Sequence, residues 1–274
     1  MMYNLLKGKK GIIFGALNEQ SIAWRVALKA REEGAQLVLT NTPIARRFGS
    51  VDELAQLCSA KFIEADATSV EDLTRLVKES VDYFGGPFDF VLHSVGMSPN
   101  VRKMKPYEDL NYEFMNKTLD ISAVSFHKLL SVLYREDALK QWGSVVALTY
   151  LASTRSVAGY SDMADAKAML ESIARNFGPI YAKRRNVRIN TVSQSPTLTT
   201  AGQGVAGMKE MYEYADRFSP LGNASADDCA SYVVSLFSDL TRKVTMQTLY
   251  HDGGFSSVAL SEPVMEMYLK GLEK

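Results

Sequence analysis

The chain has 274 residues, 46% hydrophobic and 23% charged, a balance that suits a packed globular protein and excludes a disordered chain. Its 31 Lys and Arg are matched by 31 Asp and Glu, giving a formal net charge of zero. The overall basic excess of a nucleic-acid binder is therefore missing, and no nucleic-acid partner is expected.

Short apolar runs alternate with longer amphipathic segments along the chain. Gly11 to Phe14 reads as a first strand. Ser21 to Glu33 reads as a helix, with Ile22, Val26 and Ala30 four apart, and Gly34 ends it by supplying the left-handed C-cap conformation. Gln36 to Thr40 is a second strand, Val51 to Cys58 a short helix, Lys61 to Ala65 a third strand and Val70 to Phe84 a third helix. Gly85-Gly86-Pro87 breaks that helix before a fourth strand, Phe88 to His93. The second half keeps the rhythm: Tyr112 to Tyr134 is helical, Gly143 to Thr149 a strand, Tyr160 to Tyr181 helical and Asn186 to Val192 a strand. Ser195 to Pro220 begins with little regular patterning. Ala226 to Ser238 is a helix capped by Ser225, and Gln247 to His251 is a last strand, closed by the Asp252-Gly253-Gly254 turn. Strands and helices in this alternation predict an α/β fold, a doubly wound seven-stranded parallel sheet of Rossmann type. No linker or repeat divides residues 1–274, so one domain is expected, with residues 195–220 as its substrate-side region.

Cys58 and Cys229 are too few for a disulfide framework, and His93, His127 and His251 are scattered singly, so no metal site is expected. Both thiols are expected buried in a reducing, cytoplasmic compartment. No run reaches the ~18 apolar residues that span a bilayer, and residues 1–10 do not read as a signal peptide, so no membrane association is expected.

In such sheets ligands bind beyond the carboxyl ends of the strands. The loop from Gly15 to Ile22 lacks the G-x-G-x-x-G fingerprint, and only Gly15 permits close approach of a phosphate. Ser21 stands at a helix N-terminus, where free N–H groups attract an anion; an ordinary Ser N-cap fits the same residue. After the second strand, Thr40-Asn41-Thr42-Pro43 brings no acid to hold a ribose 2′-hydroxyl, and Arg46 and Arg47 fit either a 2′-phosphate or solvated surface charge. Asp66 suits an adenine amino group or a helix cap. In His93-Ser94-Val95-Gly96, the glycine permits backbone approach to a cofactor, and His93 reads as structural.

Tyr150 ends the fifth strand, and Tyr160 and Lys167 follow on the predicted helix. At about 100° per residue, seven steps leave these two side chains about 20° apart on one face. A Lys ammonium near a phenol lowers its pKa, and a tyrosine so placed can donate to a carbonyl oxygen that is becoming an enolate. A surface Tyr and a surface Lys would show the same spacing. The Thr200 to Phe218 segment, with Met208, Met211, Tyr212 and Tyr214, reads either as an apolar lid or as core packing.

Together these residues resemble the bacterial enoyl-acyl carrier protein reductases of fatty-acid synthesis, divergent members of the short-chain dehydrogenase/reductase superfamily. The resemblance runs from about Lys9 to Ser256. It is carried by Gly15 with Ser21-Ile22-Ala23, by His93-Ser94-Val95-Gly96, by Leu148-Thr149-Tyr150-Leu151 with Tyr160 and Lys167, by Val187-Arg188-Ile189-Asn190 and by Asp252-Gly253-Gly254-Phe255. Most of the superfamily places the Lys four residues after the Tyr, but Ala164 stands there in this chain. The resemblance implies hydride transfer from a nicotinamide to C3 of a trans-2-enoyl thioester on acyl carrier protein. It implies that Tyr160 stabilises the enolate, that Lys167 holds the nicotinamide ribose and that Tyr150 lines the acyl pocket. Gly15, Ser21 and Ile22 are implied on the pyrophosphate side, Thr42, Asp66 and Ala67 around the adenosine, and Val95 and Gly96 along the cofactor. Thr197, Leu198, Thr199, Thr200 and Ala201 would border the nicotinamide, and Ser98 and Met211 would meet the substrate. The family is usually homotetrameric. This chain departs from it at Ser195-Pro196, where Gly-Pro is usual, and at Thr42, where Gln or a basic residue is common. With no basic residue directly after the second strand, NADH is favoured and NADPH stays open. The competing readings are a ketoacyl or dienoyl reductase of the same superfamily, and a silent dinucleotide-binding sensor.

Overall fold

The computed structural model describes residues 3–199 and 207–272. Its centre is the apolar run Ile12-Ile13-Phe14, buried on both faces as an inner strand of a parallel sheet requires. The strands are β1 (Lys10–Phe14), β2 (Gln36–Asn41), β3 (Lys61–Glu64), β4 (Phe88–His93), β5 (Leu139–Thr149), β6 (Arg188–Gln194) and β7 (Thr248–His251). They form one parallel sheet in the order β3-β2-β1-β4-β5-β6-β7. The helices are α1 (Ile22–Glu32), α2 (Pro43–Phe48), α3 (Val51–Leu57), α4 (Val70–Phe84), α5 (Pro99–Arg102), α6 (Tyr112–Leu119), α7 (Ser125–Arg135), α8 (Met163–Arg185), α9 (Met208–Phe218), α10 (Ala226–Phe237) and α11 (Glu262–Leu272).

Alternation along the strands builds two cores. Ile12, Phe14, Val91, Val145 and Ala147 face α4, α7 and α8 on one side. Ile13, Phe90, Leu92, Val146 and Leu148 face α1, α3 and α10 on the other. This is the predicted doubly wound sheet in a single domain. Cys58 and Cys229 are free and buried, and burial pushes their thiols up to about 11 and about 12, so neither is a reactive thiolate.

Several predicted boundaries move. The segment after Thr42 is helix α2, because Thr42 caps it through Ala45 N and Pro43 starts it. The long helix predicted from Tyr112 is α6 and α7 joined by a π-helical stretch, Asp120–Val124. Strand β5 begins at Leu139 rather than Gly143, because Leu139 pairs with Phe88 across a register shift. The helix predicted from Tyr160 begins at Met163, and β6 ends at Gln194 rather than Val192. Within residues 195–220, α9 is regular, and α11 was not anticipated. No helix among the described residues is long and apolar enough to cross a membrane.

Ser225 caps α10 as expected, in a full capping box: Asp228 N donates to Ser225 Oγ at 3.1 Å, and Ser225 N donates to Asp228 Oδ2 at 2.9 Å. Replacing Ser225 with Ala is expected to lower stability by about 1 kcal/mol. Urea unfolding would read this as a lower midpoint with an unchanged slope.

Candidate active site

The strand order reverses between β1 and β4, so the loops leaving them part and open a crevice at the carboxyl ends. The loops meet backbone to backbone at its floor. Gly15 has φ 90°, and a Cβ on it would lie 1.9 Å from Ser94 O, so only glycine fits. Two cavities open in the crevice, of about 240 and about 230 Å³, and Val95 lines both.

The cavity on the β2 side brings together Gly15, Thr42, Asp66 and Ala67. Asp66 does not cap α4, a role taken by Ser69. Instead Asp66 Oδ1 accepts from Thr68 N at 2.8 Å and from Thr68 Oγ1 at 2.7 Å. Ser21 stands at the N-terminus of α1 as read, but its side chain makes no capping bond. Its hydroxyl accepts from Leu17 N at 3.0 Å and Asn18 N at 3.1 Å, which closes the loop and leaves α1 without a side-chain cap. Ile22 rather than Ser21 reaches a cavity. Nearby, the Arg46 guanidinium is held by Asp52 at 3.1 Å and Glu64 at 3.0 Å.

The second cavity is walled by Gly96 and Ser98 after β4, Tyr150 after β5, Tyr160, Lys167 on α8, and Met211 on α9. The Tyr150 and Tyr160 rings stand 5.0 Å apart at 53°, and Tyr150 OH donates to Met211 Sδ at 3.7 Å. Lys167 is 7% exposed, and its Nζ donates to Leu148 O at 2.8 Å. Burial pulls its pKa down to about 8, against the opposing charge of Glu171. Glu171 is itself buried and accepts from Thr149 Oγ1 at 2.7 Å.

Two sequence expectations about the pair are overturned. Tyr160 is not on the helix. It lies on a turn before Met163, with Ser161 at φ 47°, so folding of the turn and not helical periodicity brings Tyr160 and Lys167 to one cavity. Nor is the Tyr160 phenol made more acidic. Burial pushes its pKa up, with the nearby Tyr150 adding to the rise, and burial raises Tyr150 likewise. His93 is structural as read: it is buried, its Nε2 pairs with Ser125 Oγ at 3.0 Å, and burial takes its pKa down to about 3.

After β6, Thr197 and Thr199 line the cavity with Gln194, Ser195 and Pro196. Leu198 does not; it is 44% exposed between them. Thr200 and Ala201 lie outside the described residues. Ser195, where the resemblance led to glycine being expected, accepts from Ala224 N at 3.1 Å and so ties the end of β6 to the segment before α10. Ser98 lines the cavity, but its hydroxyl donates to Asp162 Oδ1 at 2.6 Å and accepts from Val101 N at 3.0 Å. Asp162, Asn100 and Thr118 form a buried polar cluster that sequence reasoning missed; its only local signal was a carboxylate in Ser161-Asp162-Met163-Ala164.

A Cβ on Gly96 would come within 2.9 Å of Met163 Cε and 3.8 Å of Lys167 Nζ, so glycine keeps that part of the second cavity open. No cluster of metal-ligating side chains occurs among the described residues. A switch-point crevice with a buried Tyr and Lys beside it defines the class of dinucleotide-dependent short-chain reductases.

Comparison with known proteins narrows the class. The family model described as enoyl-(acyl carrier protein) reductase matches residues 15–256, and the chain belongs to that family. It is 30% identical over 272 residues to enoyl-[acyl-carrier-protein] reductase [NADH] 2 of Rhizobium meliloti, covering 97% of each chain. It is 32% identical to the corresponding NADH enzyme of Rickettsia bellii, covering 93% of this chain and 97% of that one. Among solved structures, the FabI–NADH complex from Alistipes finegoldii is 63% identical, with a TM-score of 0.96, over 98% of this chain and 95% of that one.

The depressed Lys167 pKa has a consequence for stability. Between pH 8 and about 10.4 the unfolded chain binds the proton that the folded chain has lost, so stability rises with pH through that window and the full penalty stands below it. A Lys167→Met variant lacks this dependence. Relative to it, the wild type is expected to gain up to about 3 kcal/mol as pH rises across the window, measured by chemical denaturation.

Proposed function

We propose that this protein reduces trans-2-enoyl thioesters carried on acyl carrier protein, with NADH as the reductant. The observation that carries this reading is that Tyr150, Tyr160 and Lys167 line one cavity of about 230 Å³ that shares the wall residue Val95 with the cavity beside Asp66. Bound along the two cavities, NADH would supply the hydride for C3 of the enoyl group. Gly15, Ile22, Thr42, Asp66, Ala67, Val95 and Gly96 would hold it, and Thr197 and Thr199 would lie at the nicotinamide end.

Tyr160 is the catalytic donor. Because burial keeps its phenol protonated, it can donate a hydrogen bond to the thioester carbonyl and stabilise the enolate as negative charge develops on that oxygen. Lys167 uses one of its three ammonium donors on Leu148 O, which leaves two to hold ribose hydroxyls and support return of a proton to Tyr160. Tyr150, packed on Tyr160 and bonded to Met211, forms the acyl wall and orients the phenol. Met211 on α9 supplies apolar surface for the chain, so residues 195–220 make the substrate side of the domain.

NADH is preferred over NADPH because Arg46, the cation placed to meet a 2′-phosphate, is already paired with two carboxylates, which would also repel that group. The working unit is a homotetramer in the cytoplasm, a reading supported by family membership and by two buried, unpaired thiols.

The first test is loss of absorbance at 340 nm with crotonyl and dodecenoyl thioesters, with NADH and NADPH in parallel. NADH oxidation with both thioesters, slower reaction with NADPH and none with an acetoacetyl thioester are expected. Cofactor binding without oxidation would instead favour the silent sensor. Tyr160→Phe is expected to lower turnover about a hundred-fold with little change in NADH affinity, because it removes a donor used most in the transition state. Lys167→Ala is expected to weaken NADH binding, read by fluorescence titration; wild-type binding and turnover in that variant would overturn the assigned pairing.

A further inference from the structure

Tyr160 is carried by a turn, so helical hydrogen bonding does not hold it. Ser161, directly after it, has φ 47°. A residue other than glycine keeps that conformation only where its surroundings over-determine it. The surroundings that do so lie in another part of the chain. Ser161 Oγ donates to Lys105 O at 3.3 Å. The next side chain, Asp162, is fully buried and gathers three donors: Ser98 Oγ at 2.6 Å on Oδ1, and Asn100 Nδ2 at 2.8 Å and Thr118 Oγ1 at 2.9 Å on Oδ2.

These donors come from the cavity wall after β4, from α5 and from α6. Asn100 is itself fixed, exchanging bonds with Asn111 N and O at 3.1 Å each. Asp162 is the residue before α8, yet its side chain makes no capping bond to that helix. Capping therefore does not explain it, and a buried carboxylate with only neutral donors is costly to maintain. What the cluster does is join the Tyr160 turn to the opposite wall of the cavity.

We propose that Asp162 is a positioning residue for the reduction, and that its bonds to Ser98, Asn100 and Thr118 set the orientation of the Tyr160 phenol across the cavity. The inference rests on the reductase reading above. Asp162 touches neither thioester nor cofactor; it acts through Tyr160.

The test compares Asp162→Ala, Asp162→Asn and Thr118→Val. Its readouts are kcat and KM for the dodecenoyl thioester, NADH affinity, and the 13Cζ resonance of Tyr160 in tyrosine-labelled protein, assigned by its loss in Tyr160→Phe. Asp162→Ala is expected to lower kcat about ten- to a hundred-fold, as a misplaced catalytic group does, with NADH affinity unchanged and the Tyr160 resonance shifted. Asp162→Asn should recover most of kcat, because its amide oxygen still accepts from Asn100 and Thr118 while Ser98 reverses its bond. An Asn variant as slow as the Ala variant would assign the effect to charge and overturn the positioning role. A folded Asp162→Ala protein with wild-type kcat would overturn it too. If that variant does not fold, Thr118→Val decides: it removes one donor at nearly constant shape, and a reduced kcat supports the proposal while an unchanged one sinks it. If the wild type reduces no enoyl thioester, the reductase reading fails by itself. The Tyr160 resonance then still tests the positioning, since an unshifted signal in Asp162→Ala contradicts it.

Discussion

The crevice exists because two backbones touch. The Ser94 carbonyl occupies the space a side chain at residue 15 would need. That contact lets the loops after β1 and β4 close on each other at the point where the strand order reverses. The two cavities stand on either side of it, and Val95, the residue after Ser94, is the wall they share. The sheet holds this point in place because its inner strands are buried on both faces, so neither loop can shift without moving both cores.

Burial then sets the chemistry. Lys167 and Glu171 are withdrawn from water and Tyr160 is partly so, and each finds a different accommodation. The phenol keeps its proton. The ammonium is less basic than in water but rests on a strand-end carbonyl, and the carboxylate accepts from Thr149. Hydrogen bonds in such a site are stronger than in water because little solvent competes with them. The same desolvation that costs stability keeps the Tyr160 phenol neutral, the state the proposed donor role requires.

At Thr42 and Ser195, where the resemblance led to other residues being expected, the structure supplies local reasons. Thr42 caps α2 beside the cavity it lines, and the nearby Arg46 is bound by acids. Ser195 turns its hydroxyl to Ala224 N and pins the end of β6. Both residues act on backbone, and the charged groups that line the cavities are Lys167 and Arg102 in one and Asp66, Lys117 and Asp120 in the other.

Much of this was legible in the chain itself. The strands were readable because their apolar character is continuous and local, and β4 and α4 fall where the turn Gly85-Gly86-Pro87 predicts. The motifs around Gly15, Tyr150, Tyr160 and Lys167 carried the resemblance to the family, and the family model matches the chain over residues 15–256. The placement of Tyr160 off its helix was decided only by the tertiary structure. Helical periodicity cannot register a left-handed Ser161 whose hydroxyl bonds the Lys105 carbonyl 56 positions away, followed by an Asp162 held by Ser98 and Asn100. The raised phenol pKa belongs to the same category, because desolvation depends on what packs around a group and not on its neighbours in sequence. The exposure of Leu198 and the turning of the Ser21 hydroxyl onto its own loop are likewise choices of local geometry among residues whose types allowed either outcome. The sequence determined which residues would gather at the strand ends, because hydrophobic pattern and turn chemistry act over short range; packing at long range decided which atom of each faces the site.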